Sequence, residues 1–409
     1  MPGKMIDKYV SILYTAISLV RYHTTLVKQQ SEDAMSRELV HTPEGVRDIY
    51  GKECIDREII QGLVHGAIKR FGYQDINTPT FEFFDVFAEE ISATNAKELY
   101  KFFDKEGNTL VLRPDFTPSV ARCVSKYFLE EECPIRICYS GNTFTNTTRL
   151  QGKLREYMQM GAELMNDDSV EADAEMIAMM IQALLETGLT EFQVNVGDAD
   201  YYKGICEEAG MTEETEAELR EQIAGKNYFA AEKILIDGEV AEKYRNMLLK
   251  VSEFAGSVDE LEKAAGQVNN KRSMDAVGRL QALYNVLCLY GFEKYVSFDL
   301  SMLSQYNYYT GVIFKAYTYG VGDAIAKGGR YDDLLMKFGK GAPAIGFMIV
   351  IDDLMSALYR QGIHIQSRAD RVVLTYTGPE YASVLAKAQT LRQNGKNVVL
   401  QKKLSEDTI

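Results

Sequence analysis

The feature that most constrains this chain is a β-hairpin written into residues 99–115. Two β-forming stretches, LYKFFD (99–104) and TLVLRPD (109–115), flank the polar, glycine-containing turn KEGN. That pattern closes locally into antiparallel strands. Further strand patterns stand at 75–87, where the strand turns into a helix, and at 134–144, 155–165, 191–197, 294–300 and 308–320. They are joined by hairpins and long connections, not by strict strand–helix alternation. This predicts an α+β domain around a mainly antiparallel sheet flanked by helices.

Helical periodicity marks 54–71, with Ile59, Ile60, Leu63, Val64, Ala67 and Ile68 on one face and Gly72 as the stop. A second long helix is capped by Asp168 or Ser169 and ends at Gly188. GGRYDDLLMKFG (328–339) reads as a loop passing into a helix, and APAIGFMIVIDDLMSALYRQG (342–362) as a central buried strand passing into a helix. Residues 200–292 are rich in Glu, Ala and Lys at helical spacing and read as a helical insertion, most simply a solvated face and secondly a partner surface. The tail from about 370 reads as one βαβ unit. The expected organisation is an N-terminal extension at 1–35 outside the folded body, a core of 36–199 and 293–362, the insertion at 200–292, and a short α/β unit at 366–409.

Composition narrows the function. With 46% hydrophobic residues and a net charge of −14, the chain has an ordinary core and lacks the basic excess expected of a dedicated nucleic-acid binder. The apolar run YVSILYTAISLV (9–20) is too short to span a bilayer, so neither membrane insertion nor export is expected. The six cysteines are scattered, which suits reduced thiols and a cytoplasmic setting. Cys133 and Cys138 lie close together in CPIRIC, with no histidine near them in sequence to complete a zinc set; no metal and no cofactor are expected. GVG at 320–322 lacks the third glycine and the setting of a dinucleotide fingerprint.

Four segments in order resemble one family, the class II histidyl-tRNA synthetases and their non-catalytic relatives. They are TPTFE (78–82) with LRPDFTPSVAR (112–122); FTNTTRLQGKLREYMQMGAEL (144–164), which matches the second class II motif without gaps; SQYNYYTGVIF (304–314), similar to the histidine-specific RGLDYYTG; and GGRYDDLL with PAIGFMIVIDDL (328–335, 343–354), the third class II motif. The resemblance covers about 38–360. LRPDFTPSVAR is closer to the regulatory subunits of ATP phosphoribosyltransferase than to the synthetases' LRPEGT.

The family's catalytic groups are missing. Joining a carboxylate to an α-phosphate brings two anions together and needs fixed cations where charge builds up. The synthetases' FRxE positions read Thr145 and Thr147, the next motif arginine reads Thr148, the histidine-specific arginine reads Ser304, and the third-motif arginine reads Asp353. No catalytic residue is therefore expected. The amino-acid side is retained: the resemblance implies Asp115 and Thr117 on a ligand ammonium, Gln159 beside them, and Glu163, Tyr308, Tyr309 and Tyr331 toward an imidazole. Arg155, Arg330 or backbone N–H groups stand as substitutes for the lost carboxylate partner at Ser304.

Each residue also has a plain structural role to fill. Asp115 suits a turn. Gln159 and Glu163, four apart on one strand face, suit pairing with a neighbouring strand. One of Tyr308 and Tyr309 suits packing, and the GGRYD glycines suit a tight turn. The resemblance implies a histidine-responsive regulatory subunit for the short-form catalytic subunit of ATP phosphoribosyltransferase, itself a dimer. The alternatives are a true histidyl-tRNA synthetase or an orphan histidine-binding paralogue.

Overall fold

The structure, a computed structural model, describes residues 40–88, 95–147, 153–303, 309–365 and 371–403. The expected N-terminal extension, Thr148, Ser304 and Tyr308 lie outside the described residues. The chain divides into two compact units, residues 1–49 with 147–156, and residues 50–146 with 157–409. Within the first, Arg155 donates its backbone N–H to the Gly45 carbonyl (2.7 Å) and its guanidinium to the Thr147 carbonyl (3.0 Å).

The strands are β1 (Gln74–Asp75), β2 (Phe81–Phe83), β3 (Lys101–Phe103), β4 (Thr109–Leu112), β5 (Ile135–Phe144), β6 (Glu156–Met165), β7 (Phe192–Asp198), β8 (Ala255–Gly256), β9 (Val296–Asp299), β10 (Val312–Thr318), β11 (Ala326–Arg330), β12 (Ala344–Val350), β13 (Val372–Tyr376) and β14 (Val398–Lys402). The helices are α1 (Lys52–Arg70), α2 (Thr117–Tyr127), α3 (Val170–Glu186), α4 (Ala199–Glu208), α5 (Glu213–Ala224), α6 (Tyr228–Asp237), α7 (Glu242–Leu249), α8 (Asp259–Ala265), α9 (Lys271–Tyr290), α10 (Ile351–Arg360) and α11 (Tyr381–Gln393).

Nine strands form one sheet in the order β1-β5-β6-β12-β11-β10-β7-β9-β8. β6, β12, β11, β10 and β7 pair antiparallel, and β1/β5 and β7/β9 pair parallel. The mainly antiparallel α+β architecture expected from the hairpins is what forms. The hairpin itself is β3/β4, with β2 on the other edge of β4. Two motif arginines anchor it. Arg122 of α2 grips the Glu82 carboxylate of β2 (2.7 Å), and the buried Arg113 donates to the carbonyls of Thr78 (2.9 Å) and Asn142 (2.8 Å).

Register gives the two faces of the large sheet opposite chemistry. Met160, Ala162 and Leu164 of β6, Ile345, Phe347 and Ile349 of β12, Phe314 and Ala316 of β10, and Val194 and Val196 of β7 belong to the main core with α1, α3 and α9. On α3, Met176, Ile177, Met180, Ile181 and Leu184 are fully buried, each worth about 1.5–3 kcal/mol relative to exposure. Ser169 caps that helix, accepting the Ala172 N–H at 3.1 Å. Alternate residues point the other way. Glu163, Gly346, Gly329, Ile313 and Gly197 lie in one lateral row across β6, β12, β11, β10 and β7. They floor the face that carries the candidate site.

Two local expectations are corrected. The start of GGRYDDLL is a strand, β11, not a loop, and the expected helix shrinks to a 3-10 turn at Leu335–Phe338. The glycines serve close approach and not a tight turn: a Cβ on Gly328 would lie 2.4 Å from the Phe314 ring, and one on Gly329 2.5 Å from the Tyr309 ring. Within 75–87 the strand β2 leads into a 3-10 turn, Phe84–Val86; residues 89–94, where the expected helix would begin, lie outside the described residues. In the tail, β13 and β14 pair in parallel around α11 as a two-stranded sheet.

Candidate functional site

Glu163 lies at the centre of the site floor, 1% exposed. Its Oε1 accepts from the Thr117 hydroxyl and the Tyr139 phenol, both at 3.1 Å, and its Oε2 accepts from the Tyr331 phenol at 2.5 Å. These partners are all neutral hydroxyls. Burial pushes the carboxyl up to about 8 and the nearby Asp115 adds to the rise, while the three hydroxyls pull it partly back. The same environment, burial first and the Glu163 charge second, raises both phenols well above their ordinary value. The fold thus holds a carboxyl ready for a cationic or N–H-donating ligand.

Each element delivers one piece. α2 begins at Thr117, and the buried Asp115 just before it accepts the Phe116 N–H at 2.7 Å. β5 delivers Tyr139, whose ring stacks on Phe116 at 4.4 Å, with the Arg113 guanidinium on the other side of Phe116 at 3.9 Å. β12 contributes Gly346, where a Cβ would sit 1.5 Å from Glu163 Oε2; only a glycine leaves the carboxylate its place. Gln159, two strand repeats from Glu163 on the same face, is 6% exposed, and its Oε1 has no hydrogen-bond partner. A buried amide oxygen in that state calls for a donor.

Of the sequence candidates, the structure therefore brings Asp115, Thr117, Glu163 and Tyr331 together. Gln159 shares their face, and the Tyr309 ring packs over Gly329 of the same row. Tyr308 lies outside the described residues. The reading of Glu163 as a strand-pairing residue gives way to its contacts with α2, β5 and the residue after β11. Sequence reasoning missed Tyr139. The signal was present, since Ile135, Ile137 and Tyr139 alternate onto one face of β5.

Arg330 is corrected as a carboxylate partner. It points to the opposite face, where it bonds Asp173 of α3 (2.6 and 3.0 Å) and the Asp167 carbonyl (3.1 Å), while Arg279 of α9 takes the other Asp173 oxygen at 2.7 Å. Asp353 stands in the first turn of α10. The Tyr157 phenol of β6, on the same strand face as Gln159, is pushed up to about 12 by burial first and then by Asp353, Asp323 and Asp352. This end of the face is acidic.

The expected absence of a histidine near Cys138 is also revised: folding brings His65 of α1 and Asp75 of β1 to it. The His65 ring nitrogen lies 2.6 Å and the Cys138 thiol 3.4 Å from Asp75 Oδ1. Lys69 already holds the other Asp75 oxygen at 3.0 Å, and the buried thiol is pushed up to about 12, both unfavourable to a cation.

A nine-stranded, mainly antiparallel sheet with α1, α3 and α9 on one face and, on the other, a polar pocket closed by α2 defines a class II aminoacyl-tRNA synthetase-like protein. The family model for histidyl-tRNA synthetase matches residues 45–354. The ATP phosphoribosyltransferase regulatory subunit of Acetivibrio thermocellus is 36% identical over 356 residues, covering 87% of this chain and 85% of the relative. That of Ruminiclostridium cellulolyticum is 37% identical over 364 residues, covering 89% and 87%. A solved structure described as an ATP phosphoribosyltransferase regulatory subunit/histidyl-tRNA synthetase from Bacillus halodurans superposes with a TM-score of 0.80 at 32% identity, covering 90% of this chain and 94% of that one. The chain belongs to the histidyl-tRNA synthetase family, among the ATP phosphoribosyltransferase regulatory subunits.

Proposed function

We propose that this protein is a non-catalytic regulatory subunit that activates the short-form ATP phosphoribosyltransferase catalytic subunit and carries the histidine feedback signal to it in the first step of histidine biosynthesis. The observation that carries this reading is the asymmetry of the site. The amino-acid end keeps Glu163 with its hydroxyl shell, Asp115, and Gln159 with its unpaired acceptor. At the other end Asp353 stands where the family resemblance puts an arginine, and its charge helps raise the Tyr157 phenol, while Asp352 and Asp323 pair with Arg57 and Lys327; a triphosphate there lacks the arginine clamp that activation needs.

Free histidine offers what this pocket lacks: an ammonium for Asp115, Thr117 and Gln159, and an imidazole N–H for Glu163. For histidine to act as a signal it must bind one state of the assembly more tightly than another, typically by about 1–3 kcal/mol. The reading also includes a symmetric pair of these subunits, a soluble cytoplasmic setting and no bound nucleic acid, with 200–292 as the helical insertion and 366–409 as an anticodon-binding-like α/β unit. Among the described residues no helix is long and apolar enough to cross a membrane.

The test combines the chain with the short catalytic subunit and follows complex formation and phosphoribosyl transfer with and without histidine. Co-elution, activity only in the complex, and inhibition by histidine are expected. Histidine binding without any effect on the transferase would point to the orphan paralogue instead, and histidine-dependent ATP–pyrophosphate exchange to a synthetase.

A further inference from the structure

The row of the sheet next to Glu163 carries two cations side by side. We propose that Lys315 of β10 and Lys327 of β11, with Asn195 of β7 beside them, form a receptor for one phosphate group, on the same sheet face as the amino-acid pocket and separate from it. Such a receptor is independent of whether the pocket holds histidine.

Register fixes the placement. Asn195, Lys315, Lys327, Met348 and Gly161 are lateral neighbours on β7, β10, β11, β12 and β6. Each stands two residues from a member of the row that holds Glu163. Its side chain therefore points to the same face, about 7 Å further along the strands. Asn195, Lys315, Lys327 and Met348 are half-buried, and the following row carries the exposed Gln193 and Tyr317. A small solute can reach the lysines from that side. Adjacent strands lie about 5 Å apart, so one tetrahedral anion can accept an N–H from both ammonium groups.

The charges show why the pair calls for an anion. Like charges directly opposite each other in an antiparallel pair are destabilising. Lys327 is answered by Asp323 at 3.2 Å. Lys315 is not: with the described residues its ammonium makes no hydrogen bond and no ion pair. Burial holds it below its ordinary range, the Lys327 charge adds to that, and Asp323 and Asp299 oppose it. Both acids have other partners. Asp299 Oδ1 accepts from the Ser301 N–H at 2.9 Å and hydroxyl at 2.6 Å, and Asp323 accepts from the Ala324 N–H at 2.7 Å besides Lys327. A half-buried ammonium facing a second one costs the fold free energy, and an oxyanion bridging the two relieves the repulsion and supplies the missing partner. A phosphate monoester brings nearly two negative charges and three acceptor oxygens at neutral pH. That matches two ammonium groups and the Asn195 amide N–H, whereas a carboxylate brings a single charge.

The experiment titrates inorganic phosphate, glycerol 3-phosphate and acetate into the full chain by calorimetry at fixed ionic strength, with Lys315→Met, Lys327→Met and Lys315→Arg alongside. The wild type is expected to bind one phosphate probe or both at a single saturable site and acetate far more weakly. Tighter glycerol 3-phosphate identifies an esterified ligand, and tighter inorganic phosphate the free ion. Each Met variant is expected to lose about ten- to hundredfold in that affinity, and Lys315→Arg to keep it. Thermal melts guard against a folding defect: without ligand, Lys315→Met should melt at or above the wild-type temperature, since it removes an unanswered charge, and phosphate should raise the melting temperature of the wild type only. No saturable phosphate binding by the wild type, equal affinity in Lys315→Met, or a Lys315→Met protein that melts well below the wild type overturns the assignment.

Discussion

Glu163 carries a prediction with a definite sign. Its carboxyl moves from an ordinary value of 4.5 to about 8 in the folded chain. Between those values the folded protein holds a proton that the unfolded chain has released. Stability contributed at this site is therefore greatest below about 4.5, falls by about 1.4 kcal/mol per pH unit as the pH rises toward 8, and levels off above it. Glu163→Gln keeps the shape and removes the titration. Thermal melts from pH 6 to 9 are expected to show the variant gaining on the wild type with rising pH, while its affinity for histidine collapses. Parallel pH curves for the two proteins would show that the buried carboxyl is not strained. At the opposing position, Gly346→Ala would place a methyl 1.5 Å from Glu163 Oε2, so a loss of histidine binding together with a lowered melting temperature is expected. Both residues were legible before the structure in different degrees. Glu163 stood in a recognisable motif at same-face spacing from Gln159. Gly346 was visible only as part of an apolar run, because nothing in a sequence says which side chain will press against a strand's Cα.

At the scale of elements, local chemistry announced most of the framework. The KEGN turn, the Ser169 cap and the stop at Gly188 describe β3/β4 and α3 nearly as they form, since each is decided within a few residues. β11 was misread because glycine lowers strand propensity, and only the crowding by Phe314 and Tyr309 from other segments makes glycine the residue that fits there. Arg330 was misplaced for a related reason: which face a strand residue takes depends on where its neighbours place the strand. Its true partner, Asp173, sits 157 residues away. That ion pair joins β11 to α3, with Arg279 drawing in α9. Arg330→Met leaves buried Asp173 with one of its two cations, and a loss of about 3–5 kcal/mol in chemical denaturation is expected. Histidine affinity of the folded fraction should be unchanged, because the pair lies on the far face of the sheet; a selective loss of binding with normal stability would return Arg330 to the ligand site. Ser169→Ala, which removes a cap, is expected to cost about 1 kcal/mol.

For the whole molecule the decisive quantity is charge placed against reaction. Adenylate formation asks one site to hold a carboxylate and a triphosphate together, and each missing oxyanion donor weakens catalysis by about 3 kcal/mol or more. Here Thr145, Thr147 and Asp353 stand, within the described residues, at positions where the family resemblance puts cation or acid–base groups, and Asp352 and Asp323, near Tyr157, are already paired with Arg57 and Lys327. The chain as a whole, at a net charge of −14, supplies no compensating field. Losses of this kind are cooperative: restoring one charge repairs one contact and leaves the others unmade. The purified chain is therefore expected to give no histidine-dependent ATP–pyrophosphate exchange above background, and Asp353→Arg is expected to give none either. That same variant should still bind histidine with the wild-type constant, because Glu163, Thr117 and Tyr331 form the other end of the site. Exchange appearing in Asp353→Arg alone would mean that a single charge had been holding back an otherwise intact synthetase. Unchanged histidine binding without exchange would separate recognition of the amino acid from its activation within one fold.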